Sequence, residues 1–256
     1  MIDLHSHVLP GLDDGPGDMA GALALARAAV EAGTRVMAAT PHIGTGYPVV
    51  PLELSARVWE LESALEQADI DLEVVTGGEI APSGASQLLR ADLAALGLGG
   101  GSCVLLECPF SPGGDLMTRL VENLQERGFR VLLAHPERSP TFLRDIRRVE
   151  ALVEQGAFVQ LTAGSLVGSF GRTAWRYCSV LLERGLAHVV ASDAHSAIER
   201  SPQLVSIVEE TVWRQGLPVE LTAHLTEIVP RALLDDAPVP AGPVIARRRM
   251  LRPRRQ

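Results

Sequence analysis

There is no lysine in this chain: all 23 of its basic residues are arginine. That absence excludes a Schiff-base enzyme, a Walker P-loop and a kinase-type ATP lysine, and with them any metal bridge built on a carbamylated lysine. Cysteine is nearly as scarce. Cys103, Cys108 and Cys178 are too few and too ill-spaced for a disulfide framework or a zinc ribbon. No apolar run approaches membrane-span length, and the opening MIDLHSH lacks the basic and apolar stretches of a leader. The chain therefore reads as a cytoplasmic protein.

What remains is an ordinary globular composition. Of 256 residues 46% are apolar and 21% charged, which rules out wholesale disorder. The formal charge is −8, yet six arginines sit in the last ten residues (Arg247, Arg248, Arg249, Arg252, Arg254 and Arg255), so everything before them carries −14. An acidic body argues against nucleic acid as a partner, because phosphate backbones need a basic face. The reading is one domain over residues 1–236, followed by a flexible Pro/Arg-rich tail over 237–256.

Short runs rich in Val, Leu and Ala alternate with stretches of helical period, which is the pattern of βα units around a buried parallel sheet. The runs are Ile2 to Leu4, Val36 to Ala39, Leu72 to Val75, Val104 to Leu106, Val131 to Ala134, Phe158 to Leu161 and Val189 to Ala191. Between them, Val58, Leu61 and Leu65 share one helical face, and Ile146, Val149 and Val153 another. Gly33, Gly128, Gly156 and Gly185 mark helix ends, and Asp18, Asp115 and Thr173 are candidate N-caps. Seven strand–helix units without a linker favour a single α/β domain built as a seven-stranded (β/α) barrel, with an open doubly wound sheet as the alternative. No Gly-x-Gly-x-x-Gly turn follows the first strand, so no dinucleotide cofactor is expected.

The position of the polar residues carries the functional reading. His5 and His7 follow the first strand, with Asp14 in the next loop; His42 follows the second, Glu79 the third and Glu107 the fourth. His135 follows the fifth, and Asp193 and His195 the seventh. In a parallel barrel those ends converge on one mouth. Apolar strands that end in His, Glu and Asp would bury costly polar groups unless cations satisfied them. Nine such donors exceed one tetrahedral ion, so two or three divalent ions are expected. Nitrogen and oxygen donors without thiolate suit Mn, Fe or Zn. Arg138 in HPER and Arg200 after ASDAH are shaped to fork onto phosphate oxygens.

One motif points elsewhere. Cys178 and Arg184 match the C-x5-R spacing of cysteine-dependent phosphatases, but SVLLE between them has no glycine to cradle phosphate and reads as helix. The match is taken as chance, with Cys108 a packing residue and His188 and His224 structural or surface residues.

MIDLHSHVLPGLDDGP, ATPH, LLECPF, AHPER, AGSLVGSFG and ASDAH resemble, in order and spacing, the PHP (polymerase and histidinol phosphatase) superfamily. The closer resemblance, from residue 1 to about 203, is to its CpsB/YwqE-type bacterial tyrosine phosphatases. It implies a distorted seven-stranded PHP barrel with a metal cluster at its mouth. One ion would be held by His5, His7, Glu79 and Asp193, a second by Glu79 with Glu107 and His135, and a third by Asp14, His42 and His195. Arg138 and Arg200 match phosphate-binding arginines, and manganese is the implied metal. The catalytic set implied is Arg138, Arg200, His42 and Asp193. The implied substrate is a phosphotyrosine protein, a bacterial tyrosine autokinase of capsule or exopolysaccharide synthesis. Oligomerisation is compatible with this reading. A small-molecule phosphatase acting on histidinol phosphate, or a non-catalytic metal-binding partner module, are the alternatives. GGEIAPSGAS and PHIGTGYP depart from the family pattern at the rim without removing a donor.

Overall fold

A computed structural model describes residues 1–44, 46–111 and 116–245. Asp115 and the six arginines of the tail lie outside the described residues. Among the described residues nine strands form: β1 Ile2–Ser6, β2 Val36–Ala39, β3 His42–Ile43, β4 Glu73–Thr76, β5 Glu79–Ile80, β6 Cys103–Glu107, β7 Arg130–Ala134, β8 Phe158–Thr162 and β9 Val189–Ala191. All pairings between them are parallel. Each of the seven expected apolar runs is a strand or its main part.

Two of those strands are broken. Thr40 and Pro41 separate β2 from β3, and Gly77 and Gly78 separate β4 from β5. Proline has no N–H to give a ladder, and two glycines offer no side chain to hold one flat. Hydrogen bonding therefore divides into a three-stranded sheet, β1-β2-β4, and a six-stranded sheet, β3-β5-β6-β7-β8-β9. The expected distorted seven-stranded barrel is thus not one closed ladder, because hydrogen bonding is split at these two places. The far ends meet at a parallel bridge between Ser6 and Ala194, where the His7 N–H donates to the Ala194 carbonyl at 2.8 Å.

Side chains alternate along the strands between two apolar clusters, as the two-residue period requires. Met37, Val104, Leu106, Val131, Leu133 and Val159 face the surrounding helices. Val36, Ala38, Leu105, Leu132 and Val189 face inward, where Val229 and Leu233 of the helix Val229–Leu234 pack on them. The helices Met19–Glu31, Leu54–Gln67, Leu116–Glu126, Arg147–Glu154, Gly171–Glu183 and Val205–Gln215 lie between strands or after them. Asp18 caps the first, accepting from the Gly21 N–H at 2.8 Å. Gly33, Gly128, Gly156 and Gly185 all take the positive φ that ends a helix. Thr173 is not a cap: Gly171 (φ 91°) lets the helix begin two residues earlier, so Thr173 lies inside its first turn. Val149 is buried with Leu152, while Ile146 and Val153 are half-buried.

The turn that delivers Glu79 is tightly packed. A Cβ at Gly78 would come within 2.4 Å of Leu96 Cδ2 and 3.0 Å of Ile43 Cγ1, whereas one at Gly17 would meet nothing within 4 Å. Gly78→Ala is expected to lower the free energy of unfolding by about 1–3 kcal/mol through overpacking, and Gly17→Ala to change it by under about 0.5 kcal/mol. Urea unfolding of the two variants checks this; equal stabilities would contradict it.

Candidate metal centre

All nine donors meet at the C-terminal ends of the strands. His5 lies within β1 and His7 just beyond it; His42 and Glu79 open the short strands β3 and β5, Glu107 closes β6, and His135, Asp193 and His195 follow β7 and β9. His135 (φ 37°) and Asp193 (φ 53°) take left-handed backbone conformations. For non-glycine residues that conformation costs roughly 1–2 kcal/mol, and here it turns each side chain sharply off its strand into the mouth.

Glu79 is the centre of the cluster. Its Oε2 lies 3.4 Å from His5 Nε2, 3.5 Å from His7 Nε2 and 3.0 Å from His42 Nδ1, and its Oε1 lies 2.8 Å from His135 Nε2. Asp193 Oδ1 stands 3.4 Å from His5 Nε2 and 3.5 Å from His7 Nε2. Asp14 Oδ1 lies 3.4 Å from His42 Nε2 and 3.2 Å from His195 Nε2. Within these contacts are four sets of donor atoms whose members lie within 4.8 Å of one another: His7, Asp14, His42, His195; His5, His7, Asp193; His5, Glu79, His135; and His42, Glu79, Glu107. The nine sequence-predicted donors are all included.

Five of these atoms (His5 Nε2, His7 Nε2, His42 Nδ1, Glu79 Oε2 and His195 Nε2) are buried and have no hydrogen-bond partner among the described residues. Each such orphan costs about 1–3 kcal/mol unless something satisfies it. Lone pairs converging from several strands on a shared space are what a divalent cation needs, so the donor set fits one.

The electrostatics agree. Burial by itself would raise the Glu79 carboxyl, but the His5 charge, the hydrogen bond from His135 and the close His42 imidazole hold it well below the usual range. Asp193 is held down against its burial in the same way, chiefly by His5 and His7. The carboxylates in turn pull His5, His7 and His42 upward against their own burial. His195 goes the other way, to about 4, because burial and then the neighbouring His7 and Arg200 charges disfavour its proton.

Sequence reasoning missed the groups that aim the histidines. Asp13 Oδ2 accepts from His7 Nδ1 at 2.6 Å and from the His42 backbone N–H at 3.0 Å, while its Oδ1 accepts from the Gly15 N–H. The His7 hydrogen bond overcomes burial and holds Asp13 at about 2. Gln160 Oε1 stands 3.1 Å from His5 Nδ1, and the Asp193 carbonyl 3.0 Å from His195 Nδ1. Each contact occupies Nδ1 and leaves Nε2 directed into the mouth, the usual role of outer-shell partners. The available signal was the Asp13-Asp14 doublet, of which only the second was singled out. Gly15 completes that turn, since a Cβ there would collide with the His7 carbonyl oxygen at 2.1 Å.

Arg138 and Arg200 are brought to the same place. Arg138 Nη1 and Arg200 Nη2 each lie 2.6 Å from Asp193 Oδ2. Arg138 is also gripped by aromatic rings, 4.2 Å from the Phe170 centroid and 5.3 Å from that of Phe110. Tyr47 stacks on His42 across the mouth, with centroids 5.8 Å apart.

The thiol alternative has no geometry. Cys178 is buried inside the helix Gly171–Glu183, and Arg184 turns away to pair with Glu150 at 2.5 Å. His188 is structural: its Nδ1 accepts from the Val159 N–H at 3.2 Å, and burial lowers its pKa to about 4. His224 is buried in the segment His224–Ile228, away from the nine donors.

Comparison with known proteins places this geometry. The family described as Capsular polysaccharide synthesis, CpsB/CapC, matches residues 1–221. The tyrosine-protein phosphatase YwqE of Bacillus subtilis (strain 168) is 37% identical over 227 residues, covering 88% of this chain and 89% of that protein. The tyrosine-protein phosphatase CpsB of Streptococcus pneumoniae is 28% identical over 213 residues, covering 80% and 86%. A crystal structure from the work on YwqE of Bacillus subtilis and CpsB of Streptococcus pneumoniae, described there as unique metal-dependent tyrosine phosphatases, superimposes with a TM-score of 0.83. It is 32% identical and covers 97% of this chain and 100% of its own.

Burial raises all three thiols, Cys103 to about 12 and Cys108 and Cys178 well above their usual value. A thiol reagent at neutral pH is therefore expected to label none of them in the native protein within minutes and all three after denaturation. Rapid labelling of one cysteine in the folded state would contradict this burial.

Proposed function

The chain belongs to the CpsB/CapC family of capsular polysaccharide synthesis, and from that membership we propose that it is a metal-dependent protein-tyrosine phosphatase. The observation that carries the reading is the set of buried, unpartnered donor atoms beside two convergent arginines. As a phosphatase of capsule or exopolysaccharide synthesis, its substrate is the phosphotyrosine of a bacterial tyrosine autokinase. We assign it to the cytoplasm, which the three free cysteines favour; among the described residues no helix is long and apolar enough to cross a membrane.

We read the two sheets as arcs of one distorted seven-stranded barrel, with the Ser6–Ala194 bridge as the seam. We also place the end of the folded unit near residue 236. Asp236 ties the chain to the body there, accepting from Ser102 Oγ at 2.6 Å and from the Ser102 N–H, while Val239 and Ile245 beyond it still pack on the core.

The residues to hold two or three ions are His5, His7, Asp14, His42, Glu79, Glu107, His135, Asp193 and His195, with Glu79 shared. Manganese is the first candidate, and iron and zinc suit the same donors. Divalent ions supply Lewis acidity for the phosphoryl oxygens and make hydroxide available near neutral pH. The chain does the rest. Arg138 and Arg200 orient the phosphoryl group and meet the charge that develops on its equatorial oxygens. Both now share one Asp193 oxygen, so a phosphate arriving between them finds two forks already facing inward. Phe110 and Phe170 hold the Arg138 guanidinium in place and partly dry, which strengthens its pull on an anion. A tyrosine oxygen, with a pKa of about 10, leaves with little proton assistance, so an aryl ester is the easiest phosphomonoester for the site.

The direct test is turnover of a phosphotyrosine peptide beside histidinol phosphate by the Mn²⁺-loaded protein. The peptide should be the better substrate, and EDTA should reduce turnover by about 100-fold or more. Preference for histidinol phosphate would assign a small-molecule phosphatase, and binding of partners without hydrolysis a non-catalytic module. Cys178→Ser should stay within about two-fold of wild type, whereas His42→Ala and Asp193→Ala should lose about 100-fold or more.

Asp13→Asn addresses the aiming of His7. It should keep the fold by circular dichroism yet weaken Mn²⁺ binding by about 10–100-fold in a calorimetric titration. Unchanged affinity would mean that Asp13 does not orient the histidine.

A further inference from the structure

We propose that the surface formed by residues 163–170 and the helix Gly171–Glu183 is a docking track for the polypeptide carrying the phosphotyrosine, ending at Arg172, which takes an acidic side chain. The inference rests on the phosphotyrosine reading of the metal centre and adds where the flanking chain runs.

Two cavities adjoin there. One, of about 220 Å³, is lined by Asp193, Glu199, Arg200, Phe170 and Val167 among others, and so opens directly beside the cluster. The other, of about 510 Å³, lies farther out, with Val167, Arg172, Trp175 and Arg214 in its walls. Val167 belongs to both, and the helix Val205–Gln215 supplies the opposite side of each. A chain leaving the phosphate site would therefore pass from the first to the second over Val167.

The surface along that path has the composition of a peptide contact. Phe170, Val167 and Trp175 are 36%, 51% and 42% exposed, in a chain with only ten aromatic residues. Each keeps a third to a half of its surface in water, and a contiguous exposed apolar strip beside a catalytic mouth marks a contact surface. Tryptophan is favoured as an anchor in such places.

Charge selects the occupant. The formal charge of the chain is −8, so an acidic peptide is repelled by most of it. Arg214 at the far cavity is already paired with Glu210 at 2.6 Å. Arg172 is exposed and has no ion-pair partner among the described residues. With Arg200 at one end and Arg172 at the other, the track suits an extended segment that carries phosphotyrosine and, a few residues away, a carboxylate.

The experiment compares Trp175→Ala and Arg172→Glu with wild type on two substrates, using the full-length Mn²⁺-loaded protein. One is free phosphotyrosine; the other is a phosphotyrosyl peptide with acidic residues on both sides. Both substituted residues are exposed and outside the catalytic set. For the peptide, KM should rise about five- to twenty-fold with kcat held, while both constants for free phosphotyrosine stay within about two-fold. Arg172→Lys should recover most of the peptide KM. Peptide constants that do not move, or that move in step with those of free phosphotyrosine, overturn the docking track and leave the phosphatase reading standing. Failure of the wild type on both substrates overturns the two together. A wild-type dimer that Trp175→Ala dissociates, with the peptide KM unchanged, would assign this face to a second copy of the chain and overturn the proposal.

Discussion

Buried carboxylates need a positive neighbour, and the mouth of this fold is organised around that need. Glu79 and Asp193 are almost entirely removed from water. Left alone, such groups would take up protons, because a low-dielectric surrounding disfavours their charge. Instead they are held ionised by four histidines around Glu79 and by two histidines and two arginines around Asp193. The arrangement turns histidine nitrogens and carboxylate oxygens from several strands towards one shared space. Divalent cations would resolve that balance, and the same ions can stabilise the charge of a phosphoryl group under attack.

The fold supplies these groups at some local cost. Parallel strands place their C-terminal ends together, and the chain must leave each end abruptly to point a side chain into the mouth. Left-handed backbone at His135 and Asp193, the proline after Thr40 and the glycine pair before Glu79 are three ways of making such an exit. Each weakens a strand or stores strain at the rim. The split of the ladder into two sheets thus falls at the two exits that deliver His42 and Glu79. Rigidity comes from beneath, where Val229 and Leu233 pack against the inward residues of the strands.

Much of this was legible in the sequence because it depends on local pattern. Valine- and leucine-rich runs became strands, and glycines after Glu-rich turns ended helices, since both follow from backbone preferences that act over a few residues. The donors could be found because His and Glu at the end of an apolar run have no packing explanation. What escaped depends on contacts between distant segments. Gln160 reaches His5 across 155 positions, and Asp13 touches the His42 backbone across 29. Nothing in the spacing of Phe110 or Phe170 indicates that their rings close on Arg138. Thr173 looked like a cap because threonine favours that position; the positive φ of Gly171 settled the boundary before it. Pro41 and the Gly77-Gly78 pair were visible, but their effect on pairing depends on which strands lie alongside.

The nine donors are proposed to hold divalent ions together, with Glu79 shared between them. Anomalous diffraction from crystals grown with Mn²⁺ tests this. Two or three peaks should appear at the mouth, each about 2.0–2.6 Å from its donors, with Glu79 contacting more than one. Ordered side chains around a mouth without anomalous density, or a single ion that leaves Glu79 uncoordinated, would contradict it.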